Sequence, residues 1–191
     1  MKTLKQFMCA ALMLLLLVSL VTGAGADTLT SKASVAVQAV FAKSNALSNP
    51  RDVLSKTIQK EFANGTSSGQ ANLIFRDQRT LTTGASENLD LAGVLTDPFG
   101  TTLTFAKVKV LMIENLSTTQ TLTVGGAATN QFINWAGAGT HTVIIPPGGF
   151  FAISAPAAGF AVTADTGDLL KILNSAGASC IYNIVILGTS S

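Results

Sequence analysis

Along most of this chain apolar and polar residues alternate with a period of two, the signature of half-buried strands. In Ser34–Phe41 the residues Val35, Val37, Ala39 and Phe41 share one face. Leu73–Leu81, Glu87–Leu91, Gln120–Val124 and Ser179–Leu187 read the same way. His141–Ile145 and Phe150–Ser154 flank Pro146-Pro-Gly-Gly149, and Phe160–Ala164 and Leu169–Leu173 flank Asp165-Thr-Gly-Asp168. Thr101–Asn115 is too continuously apolar for one wet face, which predicts burial on both faces or a bulge near Lys107. Turn residues separate these runs: Asp97-Pro98-Phe99-Gly100, Gly125-Gly126 and Gly137-Ala-Gly139. Many short strands so spaced predict an all-β chain: a single β-sandwich, jelly-roll-like, with an N-terminal arm.

One stretch reads differently. Asn49-Pro50-Arg51-Asp52 has the form of a helix start, and Leu54, Ile58 and Phe62 follow at intervals of four. Residues 50–62 are therefore expected to be a short helix, strand alternation being poorer there. Phe62–Asn72 is polar and rich in Gly and Ser, so a hinge is expected at 65–72. It divides an arm, 27–64, from a body, 73–191.

The first 26 residues read as an address. Lys2 and Lys5 precede the apolar run Phe7–Val21, and small residues ending in Ala24-Gly25-Ala26 follow. The run is short for the ~20 residues of a spanning helix. A cleaved signal peptide is the expectation, with a secreted, extracellular or cell-surface protein and no membrane attachment after cleavage. Removing Lys2 and Lys5 takes the 12 bases to ten, against 10 acids. The net charge then vanishes, which argues against a nucleic-acid partner and permits close approach of copies. Cys9 leaves as well, so Cys180 is the one thiol and no intrachain disulfide is expected.

Reactive groups are few. With one His and two Cys in 191 residues, neither a His-rich nor a Cys-rich metal site is expected. Asp165-Thr-Gly matches the short aspartic-protease signature, but that chemistry needs two such carboxylates and only one copy is present. A β-turn explains the same residues. Asp165 and Asp168 are a thin start on a cation site, since calcium takes 6–8 oxygens, and Glu87 and Asp90 make a similar pair. His141 lacks a nucleophile elbow to work with. Cys180, in an apolar strand with Tyr182, Ile184 and Ile186, reads as a buried thiol. Arg76, Asp77 and Arg79 form the densest charge cluster of the body, either a solvated face or a partner or glycan contact. Trp135, in a Gly-rich loop, reads equally as a stacking platform or a core anchor. Asn64-Gly-Thr66 and Asn115-Leu-Ser117 fit the glycosylation pattern. No catalytic residue and no cofactor is assigned.

Several segments carry a resemblance: Glu87–Gly93, Leu95–Thr101, Phe105–Lys109, Val124–Ala128, Pro146–Gly149, Thr166–Lys171 and Val185–Thr189. From about Leu73 to Gly188 the chain resembles small virion-associated structural proteins of tailed bacteriophages and prophages. The leader is its departure from that family. The resemblance implies a β-sandwich that is part of a particle and not an enzyme. Two readings follow. One is a structural protein that self-associates as a homo-oligomer or polymer, with Val35, Val37, Ala39 and Phe41 as a donor strand for a neighbouring sheet. Pairing of that strand within its own chain is the plainer alternative. The other reading is an exported carbohydrate-binding or adhesive module, with Trp135, Arg76 and Arg79 as contacts.

Overall fold

The structure is a computed structural model and describes residues 27–191; the segment expected to be a signal peptide lies outside the described residues. Among the described residues every regular element is a strand. In order they are β1 (Ser31–Ala42), β2 (Arg51–Phe62), β3 (Leu73–Leu81), β4 (Ser86–Asp90), β5 (Lys107–Asn115) and β6 (Leu122–Gly125). There follow β7 (Thr142–Ile145), β8 (Phe150–Ser154), β9 (Phe160–Ala161), β10 (Leu169–Asn174) and β11 (Cys180–Thr189).

Strands β3 to β11 form two antiparallel sheets, ordered β4-β10-β6-β7 and β3-β11-β5-β8, with β9 also beside β5. Setting β9 aside, this is the eight-strand order of a jelly roll. The alternation builds its core. Cys180, Tyr182, Ile184 and Ile186 of β11 point inward, opposite Leu170 and Ile172 of β10 and Leu122 and Val124 of β6, in one apolar cluster.

The long apolar run resolves into two parts. Leu103 and Phe105 are buried without belonging to a strand; their amides donate to Leu95 O and Leu91 O. The strand starts at Lys107 and carries a bulge, because Leu187 faces Val110 while Gly188 faces Val108. Lys109 is the residue left over. It is buried, and its Nζ donates to Ala157 O at 2.7 Å. A Cβ on Gly188 would sit 2.2 Å from Lys107 O and 2.5 Å from a Phe105 ring carbon, so the bulge requires glycine there.

The expected helix at 50–62 is not formed. Arg51–Phe62 is strand β2, paired antiparallel with β1 from Ser31↔Phe62 to Ala42↔Arg51. Leu54, Ile58 and Phe62 are spaced by four, and an interval of four satisfies a period of two as well as one of 3.6. The cross-strand partners decide: Val35 lies opposite Ile58 and Ala39 opposite Leu54. Asn49-Pro50 belongs to the connecting loop, where Lys43 N donates to Pro50 O.

The β1–β2 hairpin is a sheet of its own and stands off the sandwich. Its root is fastened. Phe62, Ala71, Val110 and Leu187 form a second small core on the outer face of the β3-β11-β5-β8 sheet, with Leu29, Ala33 and Ile74 against it. The polar stretch after β2 is tied down too: Gly69 N donates to Pro156 O and Asn72 N to Gly188 O.

Candidate functional site: an exposed hairpin arm

At ~3.4 Å per residue the twelve-residue strands make an arm about 40 Å long. Directly opposed residues share a face. One face therefore holds Ala33, Val35, Val37, Ala39 and Phe41 from β1, with Leu54, Ile58 and three charged residues, Asp52, Lys56 and Lys60, from β2. The other face is mostly polar: Lys32/Glu61, Ser34/Gln59, Ala36/Thr57 and Gln38/Ser55, interrupted by Val40/Val53. The apolar face is open to water, with Val37 56%, Ile58 60% and Phe41 72% exposed. All four residues singled out as a donor strand thus lie on one exposed face. Their strand is already paired along one edge by β2, so β1 does not act as a lone donor.

The two outer edges of the arm differ. From Ala33 to Ala42 β1 carries no charge and no proline. The β2 edge carries Arg51, Asp52, Lys56, Lys60 and Glu61. Charged side chains guard a strand edge against pairing, and an uncharged apolar edge invites it. Among the described residues no strand pairs with the free edge of β1. At the root that edge borders a groove of about 280 Å³, lined by Ala33–Ala36, Val110, Met112 and the β8 residues Phe150 and Ala152–Ser154.

The residues considered for chemistry lie elsewhere and apart. Asp165 and Asp168 sit in the turn before β10. Asp165 has φ 61°, and its amide donates to Asp168 Oδ2 at 2.7 Å. That carboxylate closes its own turn, and among the described residues no cluster of three or more potential ligands forms around it. His141 Nδ1 donates to Ala136 O at 2.7 Å. Cys180 is buried, which pushes its thiol pKa up, and its Sγ lies 3.2 Å from Asn115 Oδ1.

Strand alternation divides the Arg76–Asp77–Arg79 cluster. Arg76 points outward into water, whereas Arg79 faces the sandwich interior opposite Tyr182. Its guanidinium pairs with Glu87 and lies 3.0 Å from Asp77 Oδ2. Tyr182 Oη donates to the other Glu87 oxygen at 2.6 Å. Arg79 is thus held in ion pairs within its own chain. Trp135 is 8% exposed, donates from Nε1 to Phe132 O and packs 5.6 Å from Phe151. It anchors the core and offers no open ring to a sugar. Asn115 is fully buried, with its amide donating to Gln120 O, Ile145 O and Pro146 O, so the folded chain presents no glycosylation acceptor there.

Sequence reasoning missed two groups. The Glu87–Arg79–Tyr182 cluster joins three strands, and the charges on alternate positions of β3 were its only signal. Buried Lys109 had none beyond its place in an apolar run. No protein-family model matches this chain, and no curated protein matches it.

Proposed function

We propose that this is a non-enzymatic structural protein, exported from the cytosol, that self-associates into a homo-oligomer or polymer through its N-terminal arm. The observation that carries the reading is the arm itself: a fastened hairpin that presents to solvent one mostly apolar face and, from Ala33 to Ala42, one uncharged edge. An isolated two-stranded hairpin is marginal in water, so an arm of this length needs further packing to be a stable part of a structure. Balanced charge after loss of Lys2 and Lys5 removes the repulsion that would keep copies apart. The jelly roll is shared by capsid and lectin domains. Membership of a particle, as the resemblance to phage structural proteins implies, is consistent with that fold, although fold alone assigns no role.

The test is the assembly state of the purified protein, by light scattering and negative-stain microscopy, beside Val35→Lys/Ile58→Lys on the apolar face. The expected result is rings, filaments or small oligomers for the unaltered chain and monomers for the variant. Monomers in both samples contradict the reading.

A further inference from the structure

We infer that the partner on the arm is a second copy of this chain, and that two copies exchange arms by pairing β1 with β1. This inference rests on the self-association reading and names its geometry. The free β1 edge of one copy hydrogen-bonds antiparallel to the free β1 edge of the other, giving a continuous sheet β2-β1-β1-β2 across a two-fold axis. Such an axis makes the contact self-complementary, the commonest arrangement in soluble oligomers.

Three observations fix the partner and the register. First, of the two free edges only that of β1 runs without charge, from Ala33 to Ala42, so pairing of like edges selects β1. Second, apolar positions must meet apolar positions, so paired residue numbers must have an even sum; a one-residue slip would set Val and Phe against Ser and Gln. Third, the groove at the arm root borders Ala33–Ala36. A sum of 74 sets Val37 against Val37, Val35 against Ala39 and Ala33 against Phe41. The incoming stretch 38–41 then runs along the groove, with the largest side chain facing the smallest. The groove takes up the Phe41 ring between β1 and the outer faces of Met112 and Phe150, both themselves exposed. A cavity of ~150 Å³ holds a benzene ring, so about 280 Å³ accommodates the phenyl group and its neighbour Ala39. The arm then gains the packing it lacks in one copy.

The test uses the full chain, purified as the expressing cell delivers it, with Cys9→Ser so that buried Cys180 is the sole native thiol. Val37→Cys is expected to oxidise to a disulfide dimer on a non-reducing gel. Gln38→Cys, whose partner would be Ala36 of the other copy, is expected not to. In sedimentation, Phe41→Glu is expected to weaken association at least tenfold, whereas Phe99→Glu, a still more exposed ring on the body, leaves it unchanged. These variants lie on exposed positions and leave the sandwich core intact. A protein that associates while Val37→Cys fails to link, or while Phe41→Glu associates as tightly as the unaltered chain, overturns arm exchange and leaves self-association standing. A protein that stays monomeric to about 100 μM overturns both, since a Kd of ~1 μM would show clearly there.

Discussion

Tyr182 illustrates how single side chains hold the sandwich together. It is the one tyrosine of the chain, fully buried, and its hydroxyl donates to Glu87. Burial pushes its pKa well above 10.0, and the bond to Glu87 and that carboxylate's charge push in the same direction. The unfolded chain loses this proton near pH 10 while the folded one keeps it. Stability from this group is therefore complete below that pH and falls as pH rises above it, by up to ~1.4 kcal/mol per unit. Phenolate absorbance should rise only with unfolding, and titration near pH 10 in the folded protein would contradict this. Tyr182→Phe should abolish the alkaline slope relative to the unaltered chain. At neutral pH it should cost about 1–2 kcal/mol, because Glu87 keeps Arg79 as a partner. Lys109 works in the opposite sense: burial and the charge of Lys107 lower its pKa, so its contribution grows with pH up to its ordinary value of 10.5. Comparing the two proteins isolates the tyrosine. Trp135→Ala should cost ~3–5 kcal/mol in thermal unfolding, the range for removing a buried aromatic. A change below 1 kcal/mol would mean that the ring is not packed as described. The sequence left the role of Trp135 open, because a lone tryptophan in a glycine-rich loop looks alike on a surface and over a core. Its indole N–H bonds Phe132 O, three residues back, but its ring packs on Phe151, sixteen residues on and outside the loop's own window.

Among the elements, the strands of the sandwich were legible because alternation and turn residues agree there. Phe150–Ser154 has the bounds its pattern predicted, and β10 and β11 differ from expectation by a residue or two. The arm was harder. Leu54, Ile58 and Phe62 satisfy helix and strand alike, and the partner that settles the matter is β1, outside any local window. The bulge was expected near Lys107 and lies at Lys109, where pairing with β11 shifts by one. Gly188→Ala probes that bulge. Its new methyl would meet a carbonyl and a buried ring, so a cost of ~1–3 kcal/mol is expected in chemical denaturation. Phe62→Ala should release the arm root while sparing the sandwich, since Phe62 belongs to the separate outer cluster. Hydrogen exchange should then speed up across Ser31–Phe62 and stay unchanged across Cys180–Ile186, whose inward side chains belong to the main core. Equal loosening of both would place Phe62 in the main core.

For the whole molecule, the division of labour is between a filled jelly roll and an arm with little to pack on. The charges that could have marked a binding face are consumed internally by Arg79 and Glu87 or scattered over water-facing positions. Among the described residues, half of the large exposed apolar side chains lie on the hairpin and its loop, and Met112 and Phe150 stand beside its root. Composition foreshadowed this in low charge, but it could not say that β1 and β2 would pair with each other and leave one edge bare. Hydrogen exchange of the β1 amides, followed as a function of protein concentration, addresses that edge most directly. About half of those amides bond to β2 and half point to the free edge. With self-association through β1, the outward set across Ala33–Phe41 exchanges fast in dilute protein and becomes protected as concentration rises, while Phe41→Glu stays fast throughout. Outward amides that exchange at one fast rate at every concentration would mean that no second strand ever closes this edge.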